Sequence, residues 1–331
     1  MTGPPVLSWS FAFVLGVLGA LGGEQAGSRP HPSTPNASPS TPSSSPSTKT
    51  RAVVLGIAQD GGVPHIGCRQ ERCVLARRDP SRRERVACLG LVDEQAGRRF
   101  LIDATPDLPS QLESLHPDPP AGRPLVDGIL LTHAHIGHYA GLMYLGREAL
   151  GASGVPVYAT PRMARFLREN GPWSQLVALG NVVIHEMEAD REIALTDRLW
   201  VTPIRVPHRD ELSDTVGFRV RGPSRSLLYI PDIDKWERWE RRLPAEAAAV
   251  DWALLDGTFE DAAEIPGRTL ADIPHPLIGE TAALLGGGPR RARVLFVHLN
   301  HTNRLLWDEP AVRALSGQGL AVARDGLELE L

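Results

Sequence analysis

The stretch Leu130-Leu-Thr-His-Ala-His-Ile-Gly-His-Tyr-Ala140 decides how this chain is read. His133, His135 and His138 follow the apolar run Val126–Leu131, which has the character of a buried strand. Alternate residues at a strand end point the same way, so His133 and His135 can grip one ion from one side. His138 lies where the strand turns toward a helix and reaches a neighbouring position. Neutral imidazole suits zinc, iron or copper. Solvated loop histidines are the bland alternative, and the rest of the chain argues against it by supplying partners.

Those partners close later strand-like runs. Leu199-Trp-Val-Thr-Pro-Ile-Arg-Val-Pro-His208 ends in a histidine, followed by Arg209, Asp210 and Glu211. Ser226-Leu-Leu-Tyr-Ile-Pro-Asp232 ends in a carboxylate, and Val294-Leu-Phe-Val-His298 in another histidine, with His301 three residues on. Any one of these alone is more often structural than catalytic. Together they fit a mixed α/β scaffold, which lines strand ends along one edge so that ligands distant in sequence converge.

The order His-x-His-x-x-His, then His208, Asp232 and His298, resembles the metallo-β-lactamase superfamily over roughly Arg51 to Leu331. Within it the likeness is to the branch of pyrroloquinoline quinone biosynthesis protein B (PqqB-like). Three segments carry it: Val53-Val-Leu-Gly-Ile-Ala-Gln-Asp-Gly-Gly62 through Cys68 and Cys73, Asp256-Gly-Thr-Phe259, and His298-Leu-Asn-His-Thr-Asn303. The resemblance implies an α/β fold built as a four-layer αββα sandwich. It also implies one ion on His133, His135 and His208, a second on His138 and His298, and Asp232 bridging the two. Asp103 would support the histidine motif by hydrogen bonding.

The departure from the family pattern is Gly137. The usual motif is His-x-His-x-Asp-His, and its aspartate ligates the second metal and orients the attacking water. A glycine has no ligand to offer, so the second site is expected to be weak, empty, or completed by Asp210 or His301. Zn2+, one or two ions, is the expected cofactor, with Fe2+ the alternative. A bound dication lowers the pKa of water toward ~7, and hydrolysis of an ester, amide or phosphodiester follows, with Asp232, His298 and His138 as catalytic residues. Iron with dioxygen chemistry is the second reading, and a metal-binding protein without catalysis the third. One fold hosts many chemistries, so the substrate is not legible beyond a small molecule or peptide.

Composition sets the outer bounds. The 331 residues carry a net charge of −4, which gives no general pull toward nucleic acid. Basic runs such as Arg82-Arg83-Glu-Arg85 and Arg290-Arg291-Ala-Arg293 are expected on the solvated surface. Residues 1–23 contain an apolar stretch (Val6 to Leu21) ending in small residues, which suggests a signal peptide and an exported protein, or an anchor if uncleaved. Membrane contact is expected only through that segment. Residues 24–50 are rich in Ser, Thr and Pro and read as a disordered linker, leaving 51–331 as the metallo-β-lactamase-like domain.

Cys68 and Cys73, with His65 close by, fit a small structural zinc site, a disulfide or free thiols. Strands are predicted over 52–57, 86–92, 99–103, 126–131, 155–158, 182–185, 199–206, 215–220, 226–230, 251–255, 294–297 and 321–323. Helices are predicted over 108–115, 139–150, 161–169, 236–243, 276–285 and 309–315. His275, between two prolines, is a candidate for the pocket mouth.

Overall fold

Along the first strand, β1 (Thr50–Gly56), both faces are buried: Ala52 and Val54 turn to one core, Val53 and Leu55 to another. A strand apolar on both faces needs cover on both faces, and the rest of the fold supplies it. The computed structural model describes residues 49–117, 122–267, 269, 273–286 and 293–331. The expected signal segment, and all but the last two residues of the linker, lie outside the described residues. Among the described residues no helix is long and apolar enough to cross a membrane.

Two seven-stranded sheets form the middle layers. The first contains β1, β2 (Cys88–Asp93), β3 (Arg98–Ile102), β4 (Gly128–Leu130), β5 (Val155–Ala159), β6 (Val182–Glu186) and β14 (Glu328–Glu330), in the order 14-1-2-3-4-5-6. The second contains β7 (Ile193–Thr196), β8 (Leu199–Arg205), β9 (Val216–Arg221), β10 (Ser226–Ile230), β11 (Trp252–Asp256), β12 (Arg293–Val297) and β13 (Leu320–Val322), in the order 13-12-11-10-9-8-7. Leu89, Leu91, Phe100 and Ile102 of the first sheet meet Val201, Phe218, Leu227, Tyr229 and Leu254 of the second in the central core.

The opposite face of the first sheet packs on α2 (Leu108–Leu115) and α4 (Pro161–Glu169). The opposite face of the second packs on α6 (Leu243–Ala248), α7 (Ile278–Leu285) and α8 (Glu309–Gly317). This is the αββα sandwich. Two further helices, α1 (Glu71–Arg78) and α5 (Trp173–Ala178), and the strands β7 and β14 are not in the predicted set.

Two predicted helices are different in the structure. Instead of one helix over 139–150, a single turn α3 (Ile136–Tyr139) passes into a 3-10 stretch, Ala140–Leu145. Gly141 causes the break: its N–H donates to Ala104 O at 2.9 Å, and a Cβ there would stand 2.0 Å from Thr105 O. Instead of a helix over 236–243, a 3-10 turn at Trp236–Arg238 precedes α6. The indoles of Trp236 and Trp239 are tied to Thr281 Oγ1 and Arg205 O, both at 2.8 Å, and Pro244 sits in the first turn of the next helix.

Candidate metal centre

Strand direction brings the ligands together. β1 and β3 both run antiparallel to β2, and β4 runs parallel to β3, so the C-terminal ends of β1, β3 and β4 share one edge. By the same logic β8, β10, β11 and β12 end together in the second sheet. Asp60, Asp103 and the His133–His138 loop therefore face His208, Asp232, Asp256 and His298 across the top of the sandwich.

Four donor atoms form a first cluster. His135 Nδ1 lies 2.9 Å from His133 Nε2 and 3.2 Å from His208 Nε2. Asp232 Oδ2 lies 3.4 Å from His133 Nε2 and 3.2 Å from His208 Nε2. A tetrahedral ion with bonds of ~2.0–2.1 Å holds its ligand atoms about 3.3 Å apart, so the spacing fits.

The same Asp232 oxygen belongs to a second cluster, 3.8 Å from both His138 Nε2 and His298 Nε2. Asp60 Oδ1 completes it, 3.4 Å from His138 Nε2 and 3.7 Å from His298 Nε2. These two imidazole nitrogens and the Asp60 oxygen are buried with no hydrogen-bond partner. Buried polar atoms are almost always satisfied, and three orphans facing one point are what a cation would satisfy. The residues fit divalent-metal binding, with Asp232 common to both clusters.

The outward nitrogens of the rings are each held by an oxygen. His138 Nδ1 donates to Asp103 Oδ2 at 2.7 Å and His208 Nδ1 to Asp234 Oδ1 at 3.1 Å. Thr132 Oγ1 donates to Asp103 and accepts from His133 Nδ1 at 3.0 Å. Thr258 Oγ1 donates to Asp256 Oδ1 at 2.7 Å and accepts from His298 Nδ1 at 3.0 Å. Each arrangement fixes the ring and turns an Nε2 lone pair inward, the usual means of tuning a ligating histidine. Asp103 and His298 pay for their placement with φ angles of 72° and 62°, in a region that costs a non-glycine residue about 1–3 kcal/mol.

Electrostatics run the same way. Burial opposes ionisation of Asp232, yet His208, His298 and His275 around it hold its carboxyl well below the usual carboxylate range. Burial also opposes Asp60, and the nearby His138 and His298 rings bring its carboxyl well below that range. Burial pushes His133 well below an ordinary imidazole, leaving it neutral. It pushes His208 down too, but Asp232 and Asp234 prevail and raise that ring to about 10. His138 is raised well above the ordinary value against its burial, by Asp103 and Asp60. His208 and His138 would have to give up those protons to hold a metal.

His133, His135, His138, His208, Asp232 and His298 are thus brought together, and Asp103 sits behind them as a hydrogen-bond acceptor. Asp210 and His301, the two residues offered as able to complete the second site, are not brought in. Asp210 accepts from Thr215 Oγ1 at 2.9 Å, and His301 stacks on His65 with ring centroids 4.4 Å apart. Asp60 stands where either was to help. Sequence reasoning used Asp256 only as part of a resembling segment and gave it no role in the site, and it placed His275 at the pocket mouth. That ring is buried, its Nδ1 2.9 Å from Asp256 Oδ2 and 3.2 Å from Asp232 Oδ1. Asp60 follows a buried strand as the other candidate residues do, and that pattern could have singled it out.

Cys68 and Cys73 are not joined by a disulfide in the structure. Their sulfurs gather with His301 rather than His65, donor atoms within 4.8 Å of one another. His65 instead donates its backbone N–H to Cys73 Sγ at 3.4 Å.

A family model described as the Beta-lactamase superfamily domain matches residues 98–299, and the chain belongs to the metallo-β-lactamase superfamily. Its branch there is that of Coenzyme PQQ synthesis protein B. The protein of that name from Methylorubrum extorquens (strain PA1) is 31% identical over 305 residues, 84% of this chain and 99% of its own length. The one from Cupriavidus necator is 28% identical over 312 residues, 84% and 98% of the two chains. Among solved structures, Zn2+-bound PqqB from Methylobacterium extorquens aligns with a TM-score of 0.73 at 26% identity, covering 85% of this chain and all of that one (100%). A diphosphatase of the PhnP family shares the fold, with a TM-score of 0.63 at 24% identity over 86% and 97% of the two chains.

Proposed function

We propose that this chain is a metal-dependent hydrolase that cleaves an ester, amide or phosphodiester bond in a small molecule or peptide. The observation that carries the reading is the meeting of two donor clusters at one oxygen, Asp232 Oδ2. A divalent ion bound there supplies Lewis acidity, bringing the pKa of a water toward ~7 and polarising the oxygen of the bond under attack. His133, His135, His208 and Asp232 would hold one ion, and His138, His298 and Asp232 would contribute to the other. Thr132, Asp103, Asp234 and Thr258 keep those rings from rotating, and Asp256 with His275 braces Asp232 from behind.

Most of the centre is sealed, and access runs past the two ligands that keep some exposure, His135 at 18% and Asp60 at 28%. Glu211, on the exposed side 3.4 Å from His135 Nε2, stands beside that entrance. The donor set is imidazole and carboxylate without sulfur, which suits zinc and also supports the second reading, Fe2+ with dioxygen.

The test is protein stripped with chelator and reloaded with Zn2+, Mn2+ or Fe2+, offered a p-nitrophenyl ester, bis(p-nitrophenyl) phosphate and a peptide p-nitroanilide. Ion-dependent hydrolysis of one class, lost in Asp232→Ala, is expected. Absence of hydrolysis with every ion would overturn the reading, and oxygen uptake with Fe2+ alone would favour the second.

A further inference from the structure

We infer that Asp60 supplies the second ion with the carboxylate that Gly137 cannot, so that the ligand has moved from the loop after β4 to the loop after β1. This rests on the reading of the centre as a metal site. A Cβ built on Gly137 would lie 2.1 Å from Asp60 Oδ1 and 2.7 Å from Asp60 Cα. Asp60 therefore fills the space into which a side chain at 137 would project. The glycine and the aspartate are two halves of one change: the first vacates the volume and the second occupies it with an oxygen.

The placement is built in by the backbone. Ala58 bridges both Val86 and Leu299, so the loop after β1 is stitched to the segment that carries His298. Gln59 N–H donates to Leu299 O at 2.9 Å, and Leu299 N–H to Ile57 O at 2.7 Å. The loop then reverses at Gly62, whose N–H donates to Gln59 O at 2.7 Å and whose φ of +64° favours glycine. Asp60 is held at the crest of that turn, its Oδ1 aimed between His138 and His298. An ion pair with two histidines would explain the proximity, but it would leave both Nε2 atoms and the oxygen without a hydrogen bond, as they stand. A shared cation satisfies all three.

The experiment is zinc content and zinc affinity of stripped and reloaded wild type, Asp60→Ala, Asp60→Asn and His133→Ala, with thermal melts of each zinc-free protein. Asp60→Ala is expected to hold one equivalent fewer than wild type and to keep the ion on His133, His135 and His208. Asp60→Asn, which preserves shape, is expected to weaken only the weaker of the two binding steps at the centre, by more than ~10-fold. Any zinc on Cys68, Cys73 and His301 is common to all four proteins, so the difference is the readout. Equal zinc content and affinity in wild type and both Asp60 variants would overturn the inference. Hydrolysis is scored separately: the expected zinc loss without any hydrolysis sinks the proposed activity alone, and hydrolysis with zinc unaltered in the Asp60 variants sinks this assignment alone.

Discussion

Restoring the family's usual aspartate is expected to damage this protein, and the size of the damage follows from the geometry. Gly137 lies in the single turn α3 with an ordinary negative φ, where alanine would normally be better than glycine by ~1 kcal/mol. Against that, the new Cβ meets Asp60 Oδ1 at 2.1 Å and Asp60 Cα at 2.7 Å. The side chain could swing aside, but the backbone of residue 60 cannot retreat without pulling on the bond from Gln59 N–H to Leu299 O.

Overpacking costs ~1–3 kcal/mol, and a contact with backbone belongs in the upper part of that range, ~2–3, so once the ~1 kcal/mol preference for alanine is subtracted Gly137→Ala is expected to lose a net ~1–2 kcal/mol. At ~2–4 °C per kcal/mol, the melting temperature falls by ~2–8 °C. Gly137→Asp adds a second carboxylate beside Asp60; at ~4 Å and an effective dielectric of ~20 the pair repels by ~4 kcal/mol. It should therefore be less stable than Gly137→Ala and bind less zinc than wild type. Asp60→Gly/Gly137→Asp removes both the clash with the carboxylate oxygen and the repulsion, while the crowding against the backbone of residue 60 remains. The double variant should recover most of the loss, with a coupling energy above ~2 kcal/mol. Denaturant titration of the zinc-free proteins and their zinc content provide the measurements. A Gly137→Asp protein as stable as wild type and richer in zinc would refute the reasoning.

Other consequences are as specific. Asp103→Ala strands the Thr132 amide, the Thr132 hydroxyl and His138 Nδ1 in a buried site, and is expected to cost ~2–4 kcal/mol and ~10–100-fold in zinc affinity. Asp103→Asn, which tolerates the φ of 72°, should recover part of the stability; denaturation and zinc titration distinguish the two. His208 is raised to about 10 from 6.5, so its pairing with Asp232 and Asp234 stabilises the zinc-free protein fully below pH 6.5 and is lost as pH rises through 10. Zinc must displace that proton, so affinity should rise with pH between 6.5 and 8.5, with proton release visible in the buffer dependence of the binding heat. Glu84 is raised from 4.5 to about 7, first by burial and then by Asp325, which favours the protonated form in the folded state. Its contribution is complete below pH 4.5 and lost as pH rises through 7, and melts of Glu84→Gln between pH 5 and 8 should lack that slope.

The sandwich was legible because its strands are continuous apolar runs, buried on both faces, and such runs are distinctive. β7 and β14 escaped because they are short sheet-edge strands, β14 reading Glu-Leu-Glu, with one inward side chain to mark it. The helix predicted after His138 was misjudged because Gly141 answers to a carbonyl in another loop rather than to its own neighbours.

His133, His135, His138, His208, Asp232 and His298 stood out in the sequence, each at the end of a strand pattern and in a familiar order. What remained hidden was the partnership of Asp60 with Gly137, since a strand end announces a ligand but not the ligand it faces. The sequence determined by itself the residue types, their strand-end positions and the gap at Gly137, because periodicity and side-chain chemistry are local properties. Only the tertiary structure decided what fills that gap, because the register of Ala58 against Leu299 joins segments from opposite ends of the domain.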